Sequence, residues 1–267
     1  MKRVLLLTVA VGLLLFASSA FAQFVGPITM TYDGSRNYDG GTWQGGGTLG
    51  TETVITGFYG GTINGVSVGG TSSNPGMLCD DYTTNLQTPW SANAINATTL
   101  LQNWSTDGSS TKFGTNLSAI GENGYIAMAI IVEAAFSGNL AIDALANANG
   151  APYVSSATAA DVSEALWCIT GGPGNCSVSK GMSQAAYNLW QNAVAEVGGS
   201  WGSVSLSTFA NLWLYVPTPQ NGSQEMWSNV AVAEGGTAFL YLLLAGLSCL
   251  GAIFFRRSNR SANTELA

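Results

Sequence analysis

Histidine is absent from the sequence, and only 9% of its residues are charged. Without histidine the chain cannot form the Ser-His-Asp or Cys-His nucleophile systems, or the His-based zinc sites. Two carboxylates could still act as a glycosidase pair, but no spacing among the acidic residues selects one. We therefore predict a protein that is not an enzyme and that holds no metal or other cofactor.

Basic residues are scarce as well. The 34 glycines and a middle part rich in Ser, Thr, Asn and Ala are typical of extracellular proteins of low charge. Between positions 23 and 236 only Arg36, Lys112 and Lys180 are basic, against fourteen acidic residues, a formal balance of −11. Such a chain would repel a phosphate backbone, which excludes nucleic acid as a partner.

A first hydrophobic run lies near the N-terminus. Two basic residues precede an apolar stretch at positions 4–16, and Ala20 and Ala22 place small residues where a signal peptidase inspects the chain. The stretch is shorter than the roughly 20 residues that span a bilayer as a helix. Residues 1–22 are thus predicted to be a signal peptide that signal peptidase removes, so that the mature chain begins at Gln23.

A second hydrophobic run covers positions 237–255, 19 residues without a charge. At about 1.5 Å per residue, a helix of this length spans the hydrocarbon core of a membrane. Basic residues follow at once and resist translocation, which keeps the tail at 258–267 in the cytoplasm and the domain at 23–232 outside. These membrane-stop residues are Arg256, Arg257 and Arg260.

A short acidic motif, Ala233-Glu234-Gly235-Gly236, precedes this run, so that motif, apolar helix and arginine cluster follow one another at 233–257. The order resembles the sorting signal of bacterial PEP-CTERM proteins, which are exported and then processed by an exosortase in the inner membrane. The usual Pro-Glu-Pro is replaced here by Ala233-Glu234-Gly235. The resemblance implies an exosortase-like processing enzyme that accepts a variant motif, and permanent anchoring by the helix is the competing outcome.

Five stretches of the exported part are similar to stretches found in many members of that family, and they occur in the same order. Their counterparts are a Tyr-x-Gly-x-x-Asn-Gly stretch, a Cys-Asp-Asp-Phe stretch, a Glu-Ala-Ala-Trp helix, a Gln-x-Ala-x-Trp segment and a closing Gln-Glu-Phe. In this sequence they lie at positions 58–65, 78–82, 132–136, 163–167 and 224–226.

The exported domain is predicted to be α+β. Alternating polar and apolar residues between about 24 and 88, interrupted by Asp33-Gly34, Asp39-Gly40 and Asn64-Gly65, indicate hairpins. An Ala-rich helical middle follows, then a short C-terminal β segment and one transmembrane helix. The C-terminal strands are expected at 203–207, 212–216 and 226–232, with Pro217 and Pro219 ending the second.

Apolar residues spaced by three or four predict helices in the middle of the domain, at 125–136, 139–148, 159–169 and 184–197. Thr158, with Asp161 three residues on, fits an N-capping arrangement, and Ser183 can cap the last helix. One face of that last helix is predicted to pack into the core through Tyr187, Trp190, Val194 and Val197.

The cysteines outside the predicted membrane helix suggest a disulfide. A loop rich in Gly and Pro joins Cys168 to Cys176, and export would place both where disulfides persist. Closing so short a loop stabilises a fold by about 2–3 kcal/mol in the chain-entropy model. Cys79 is left over, and pairing with Cys168 or with another molecule is the expected outcome for it.

The neighbours of Cys79 suggest two further hypotheses. Asp80 and Asp81 raise the expected pKa of its thiol, which makes it a poor nucleophile. Cys79 and the later Trp167 segment are also similar to thioester adhesin domains, in which a cysteine joins a glutamine, but the matching position here is Ser163. Without the amide that bond cannot form.

Calcium and sugar binding are weaker alternatives. Asp80 and Asp81 are adjacent and lack the alternate spacing of a calcium loop, and the stretch at 33–40 lacks a terminal Glu. Four tryptophans in polar surroundings could stack on sugars, although packing in the core is the preferred explanation for them. These tryptophans are Trp43, Trp90, Trp104 and Trp201.

The sequence therefore predicts a non-enzymatic exported protein of the cell surface or extracellular matrix. It would be made as a single-pass membrane precursor and then held at the cell envelope or released, with the membrane and the processing enzymes as partners and extracellular polysaccharide as a candidate partner. The alternative is an adhesin or carbohydrate-binding module displayed at the envelope.

Overall fold

A computed structural model describes residues 25–37, 41–43, 52–54, 56–69, 76–81, 84–114, 121–171, 176–199 and 205–231. Within these ranges the fold contains both helices and strands, which confirms the α+β class. No helix in the described ranges is long and apolar enough to cross a membrane. The predicted signal peptide, sorting motif, transmembrane helix and tail lie outside them.

One antiparallel sheet of seven strands organises the domain, in the order β1-β7-β8-β9-β6-β4-β5. Since β1 pairs with β4 as well as with β7, the sheet closes on itself. Two short strands, β2 and β3, pair separately. The strands are β1 (Val25–Asn37), β2 (Gly41–Trp43), β3 (Glu52–Val54), β4 (Phe58–Ile63), β5 (Val66–Val68), β6 (Met77–Cys79), β7 (Trp90–Asn96), β8 (Trp213–Pro217) and β9 (Met226–Ser228).

The predicted turns have three different outcomes. Asn64 and Gly65 both have positive φ, 49° and 80°, and join β4 to β5 as the expected hairpin. Asp33-Gly34 does not end a strand, because Gly34 at φ 86° lies within β1 where the pairing with β4 shifts register. It forms a bulge that lets one long strand serve two neighbours. Asp39-Gly40 lies outside the described residues.

Six α-helices fall within the described ranges, and the four longest match the four predicted ones. They begin and end within about four residues of the predicted bounds. The helices are α1 (Ala97–Gln102), α2 (Trp104–Asp107), α3 (Gly121–Ser137), α4 (Asn139–Ala146), α5 (Ala159–Gly171) and α6 (Gln184–Gly199).

Both predicted caps are confirmed. The Thr158 hydroxyl accepts from the Asp161 backbone N–H at 3.3 Å, while the Asp161 carboxylate accepts from the Thr158 N–H at 2.6 Å. The Ser183 hydroxyl accepts from the N–H of Ala186 at 2.9 Å, at the start of α6. These bonds satisfy backbone donors that a helix leaves unpaired in its first turn.

The predicted core face of α6 is wrong in part. Val194 is 44% exposed, whereas Asn188 and Asn192 are buried beside Leu189 on the face that packs into the core. Their amides donate to backbone carbonyls, Asn188 to that of Pro152 and Asn192 to that of Leu145, both at 2.7 Å. Apolar spacing alone includes Val194 and misses Asn188 and Asn192, because these two polar residues find partners inside the fold.

The predicted strand at 203–207 is also wrong where the structure describes it. Leu206–Phe209 form a 3₁₀ turn, and the Thr98 hydroxyl donates to the Leu206 carbonyl at 2.7 Å. Phe209 is buried, so the segment is fixed by one aromatic side chain and side-chain hydrogen bonds instead of a strand ladder. The next two predicted strands are confirmed as β8 and a shorter β9, and Pro217 is the last residue of β8.

A large hydrophobic core joins the sheet to the helices. Strand residues Leu78 and Leu214 pack in it together with Ile126 of α3 and Leu166 of α5, each with essentially no exposed surface. Asp80 and Asp81, the first two residues after β6, have no exposed surface either.

Candidate functional site

Two acidic residues meet where β6 ends and β9 begins. These strands pair through Cys79 opposite Met226, and the next pair is Asp80 and Glu225, whose backbones are joined by a 3.4 Å hydrogen bond. Both side chains are fully buried, as is Asp81. Three carboxyl groups therefore lie in the interior close to one another, where each charge needs a partner.

Glu225 has donors for both of its oxygens. Oε2 accepts from the backbone N–H of Lys112 at 2.9 Å, and Oε1 accepts from the hydroxyl of Tyr125 at 2.6 Å. The Tyr125 hydroxyl in turn accepts from the N–H of Phe113 at 3.2 Å. Burial raises the pKa of Glu225 to about 7, while the two donors act to lower it.

Asp80 lies in a poorer environment for a charge. Its Oδ2 accepts from the indole N–H of Trp227 at 2.7 Å. Its Oδ1 is buried and has no hydrogen-bond partner among the described residues. Burial first, then the charges of Glu225 and Asp81, raises the pKa of Asp80 well above its ordinary value, while the Trp227 hydrogen bond acts to lower it.

Asp81 has a cation for its partner. The ammonium of Lys112 pairs with Asp81 Oδ2, and it also donates to Thr84 Oγ1 at 2.7 Å and to the Ser223 carbonyl at 2.8 Å. The side chain of Lys112 is 9% exposed, and that of Asp81 is 0% exposed. The three hydrogens of the ammonium are thus matched by three acceptors. We call Asp80, Asp81, Lys112, Tyr125 and Glu225 the strand-end cluster.

Cys79 borders the strand-end cluster as a free, fully buried thiol. Its Sγ donates to the Asp81 carbonyl at 2.9 Å, and the carbonyl of Cys79 accepts from the Trp167 indole at 3.1 Å. The expected pairing of Cys79 with Cys168 is therefore wrong, because Cys168 is bonded to Cys176, and the complete burial of Cys79 argues against a bond to another molecule. Burial first, then Asp81 and Asp80, raises the pKa of the thiol, as expected in direction.

The predicted disulfide is confirmed. Cys168, near the end of α5, is bonded to Cys176, and their Cα atoms are 5.7 Å apart. The bond lies against Trp167, Met182 and Ala186, which form a small buried group between α5 and α6. It closes the loop between the two helices.

Ser163 occupies the position that matches the glutamine of thioester domains. Its hydroxyl accepts from the backbone N–H of Gly57 at 2.8 Å. Ser163 therefore ties α5 to the segment before β4. The side chain has a structural role at the position where those domains carry their reacting amide.

A second group of buried acids lies where α5 meets α6. Glu164 Oε2 accepts from the Ser183 N–H at 3.2 Å, and the Ser183 hydroxyl donates to Asp161. Burial raises the pKa of Glu164 to about 7, with the Ser183 N–H acting against the shift. We call Thr158, Asp161, Glu164 and Ser183 the helix-junction cluster.

Within the described ranges, no set of three or more His, Cys, Asp or Glu side chains is arranged to hold a metal ion.

The remaining candidate residues are the tryptophans considered for sugar stacking and the residues of the predicted processing signals. Trp90 is only 7% exposed, and Trp104 packs on Tyr125 with ring centroids 5.1 Å apart, so neither is a free stacking platform. The side chain of Trp43 and all of Trp201 lie outside the described parts. So do the signal-cleavage, sorting-motif and membrane-stop residues, namely Ala20, Ala22, Ala233, Glu234, Gly235, Gly236, Arg256, Arg257 and Arg260.

Sequence reasoning considered Asp80 and Asp81 as neighbours of Cys79 and as a weak calcium candidate, and Glu225 only as part of the stretch at 224–226, and it did not identify their partners. Lys112 carries a usable signal, since it is one of three basic residues between positions 23 and 236, and it precedes the apolar Phe113. A lysine in so uncharged a region is a candidate for a buried ion pair. Tyr125 carries no such signal, because any helical aromatic is a candidate for the core.

Comparisons with known proteins give no relatives. No protein-family model, no curated protein sequence and no solved structure matches this chain.

Proposed function

We propose that this chain is a non-enzymatic exported protein of the cell surface or extracellular matrix. It is sorted or anchored through its C-terminal segment in the manner of PEP-CTERM proteins. Signal peptidase and an exosortase-like enzyme are its processing partners.

One observation carries the proposal. Three of the five stretches that resemble PEP-CTERM proteins contribute to one buried network: Asp80 and Asp81 from one, Trp167 from the second, and Glu225 from the third. Trp167 lies 88 residues from its partner Cys79, and Glu225 lies 113 residues from its partner Lys112. Residues that build one structural unit are expected to be kept together in a family, so their joint presence supports the resemblance.

Burial supports the non-enzymatic part of the proposal. Asp80, Asp81 and Glu225 have no exposed surface, and Lys112 has almost none. A general acid or base must come within hydrogen-bond reach of its substrate. These buried carboxyl groups instead form the hydrogen bonds and the ion pair that hold strands and helices together.

The disulfide supports export. Bonds between cysteines form and persist outside the cytosol, whereas cytosolic thiols are kept reduced. Cys168 and Cys176 are bonded, while Cys79 is protected by complete burial. A folded domain with this cysteine arrangement is suited to an oxidising compartment.

The deciding experiment is terminal peptide mapping and intact-mass measurement of the protein from the native host, recovered separately from membranes and from the medium. The proposal expects a chain that begins near Gln23 and, once sorted, ends near Glu234. Retention of 237–257 in every recovered form would mean permanent anchoring in place of sorting. A chain that still carries residues 1–22 would contradict export through a cleaved signal peptide.

Two variants test the motif itself. Glu234→Gln removes the one acid that the motif keeps, so the processed form should decrease. Replacing Ala233 and Gly235 by proline restores Pro-Glu-Pro, so the processed form should increase. If both variants are processed like the parent chain, the motif at 233–236 is not what the processing enzyme reads.

A further inference from the structure

Lys112 and Asp81 form the most unusual pair in the strand-end cluster. Their side chains touch, both are buried, and they lie 31 residues apart in the sequence. Asp81 follows β6, whereas Lys112 lies beyond α2. Thr84 Oγ1 and the Ser223 carbonyl hold the Lys112 nitrogen from other sides, so the nitrogen is fixed in place beside the carboxyl group.

We propose that the folded chain joins these two residues covalently, through an amide bond between Lys112 Nζ and Asp81 Cγ. The bond would be a self-formed cross-link inside the domain. It needs no enzyme and no cofactor.

The chemistry balances within the pair. The ammonium of Lys112 gives one proton to the carboxylate of Asp81, which yields a neutral amine and a neutral acid. The amine nitrogen then attacks Cγ, the new C–N bond forms, and the C–O bond of the departing hydroxyl breaks. That hydroxyl leaves with a second proton from the nitrogen, so the net change is the loss of one water.

Burial favours each stage. Removing an ammonium and a carboxylate from water carries a desolvation penalty of several kcal/mol per ion, which their attraction offsets only partly. An amide carries no charge, so that penalty disappears with the bond. Groups held in contact by a fold can also react with effective molarities of about 10⁵–10⁸ M.

The neighbouring groups fit the product as well as the reactants. The amide N–H can still donate to the Ser223 carbonyl or to Thr84 Oγ1, which lie 2.8 and 2.7 Å from the lysine nitrogen. Glu225 holds the backbone N–H of Lys112 at 2.9 Å and so keeps this residue in position before and after the reaction. Because the site is sealed from solvent, little water is present to reverse the step.

The test is the mass of the full-length chain, produced in folded form, then denatured and reduced. The proposal expects a mass lower than the sequence requires by one water. A tryptic digest should then contain the uncut peptide 37–180, one water lighter than its sequence requires, because trypsin does not cleave after an acylated Lys112. A chain of full mass, cut after Lys112, would overturn the proposal and leave an ordinary ion pair.

Two variants identify the reacting atoms. Lys112→Arg keeps the positive charge but forms no stable amide, so the missing water should return. Asp81→Asn should still react, because an amine can displace the side-chain amide, but the chain should then lose one ammonia in place of one water. Peptide mapping separates these losses from cyclisation of an N-terminal Gln23, which also releases ammonia. A water loss that persists in Lys112→Arg would assign the change to other residues and overturn the proposal.

Discussion

The strand-end and helix-junction clusters each bury carboxyl groups, yet they stabilise them by different means. In the helix-junction cluster, Asp161 and Glu164 accept from the backbone and hydroxyl groups of Thr158 and Ser183, which also cap the two helices. In the strand-end cluster, Asp81 pairs with Lys112, Asp80 accepts from the Trp227 indole, and Glu225 accepts from the Tyr125 hydroxyl. Helix ends supply free N–H groups, whereas paired strands have already used theirs.

The two clusters also differ in reach. Thr158, Asp161 and Ser183 lie within 25 residues of one another, and one helix junction brings them together. The strand-end cluster brings together residues from four places: the end of β6, the segment that follows α2, helix α3, and the segment that precedes β9. Asp80 and its partner Trp227 are 147 residues apart. A local cluster can form as its helices form, but a distant one requires the whole closed sheet.

The largest expected effect follows from removing the one cation. Lys112→Met leaves the Asp81 carboxyl buried without its ammonium, and breaking a buried pair in this way costs about 3–5 kcal/mol. We expect a loss of this size in the free energy of unfolding, measured by urea denaturation at pH 7. The matched control is Lys180→Met at an exposed lysine, which should change stability by about 0.5 kcal/mol or less.

A double variant sharpens this result. Lys112→Met combined with Asp81→Asn removes both charges, so it should recover part of the lost stability. If Lys112→Met unfolds no more easily than Lys180→Met, the strand-end cluster does not depend on its cation. The two clusters would then not differ in the way proposed.

The second effect concerns pH. The pKa values of Glu225 and Glu164 are raised to about 7, and that of Asp80 is raised well above its ordinary value, in each case chiefly by burial. Between about pH 4 and 7, Glu225 and Glu164 of the folded chain therefore hold protons that the unfolded chain has released. The free energy of unfolding should fall as the pH rises, by about 1.4 kcal/mol per pH unit for each such group.

Glutamine substitutions separate the contributions of the two clusters to the pH dependence of the free energy of unfolding. Glu164→Gln should remove the part that belongs to the helix junction. Glu225→Gln should flatten the dependence more, because it also removes the charge that raises the pKa of Asp80. Urea denaturation at pH 5 and pH 7 measures both effects. A parent chain that is equally stable at the two pH values, or more stable at pH 7, would contradict the assignment of raised pKa values.

Local signals account for what could be predicted from the sequence. The helices α3 to α6, the caps at Thr158 and Ser183, and the Asn64-Gly65 hairpin all depend on residues within a few positions of one another. The disulfide between Cys168 and Cys176 is local too. Patterns of this kind are visible in a single sequence because the physics that creates them acts over one or two turns.

Distant partners account for most of what could not be predicted. Strand β7 and helix α1 were not predicted, and the sequence does not reveal that β1 pairs with β4 and β7 at once. Lys112 gave a compositional hint but no partner. The identity of Asp81 as that partner depends on sheet closure, which no local pattern encodes.

The smallest expected effect tests the local character of the helix junction. Thr158→Ala removes the hydroxyl that accepts from the Asp161 N–H and donates to the Asp161 carboxylate at 2.8 Å. Loss of an N-cap of this kind costs about 1 kcal/mol. Thr158→Ser keeps the hydroxyl and should cost less than half as much, which urea denaturation of the two variants at pH 7 can resolve. A loss from Thr158→Ala as large as that from Lys112→Met would show that the helix junction supports the whole fold, and the contrast between a local and a distant cluster would no longer hold.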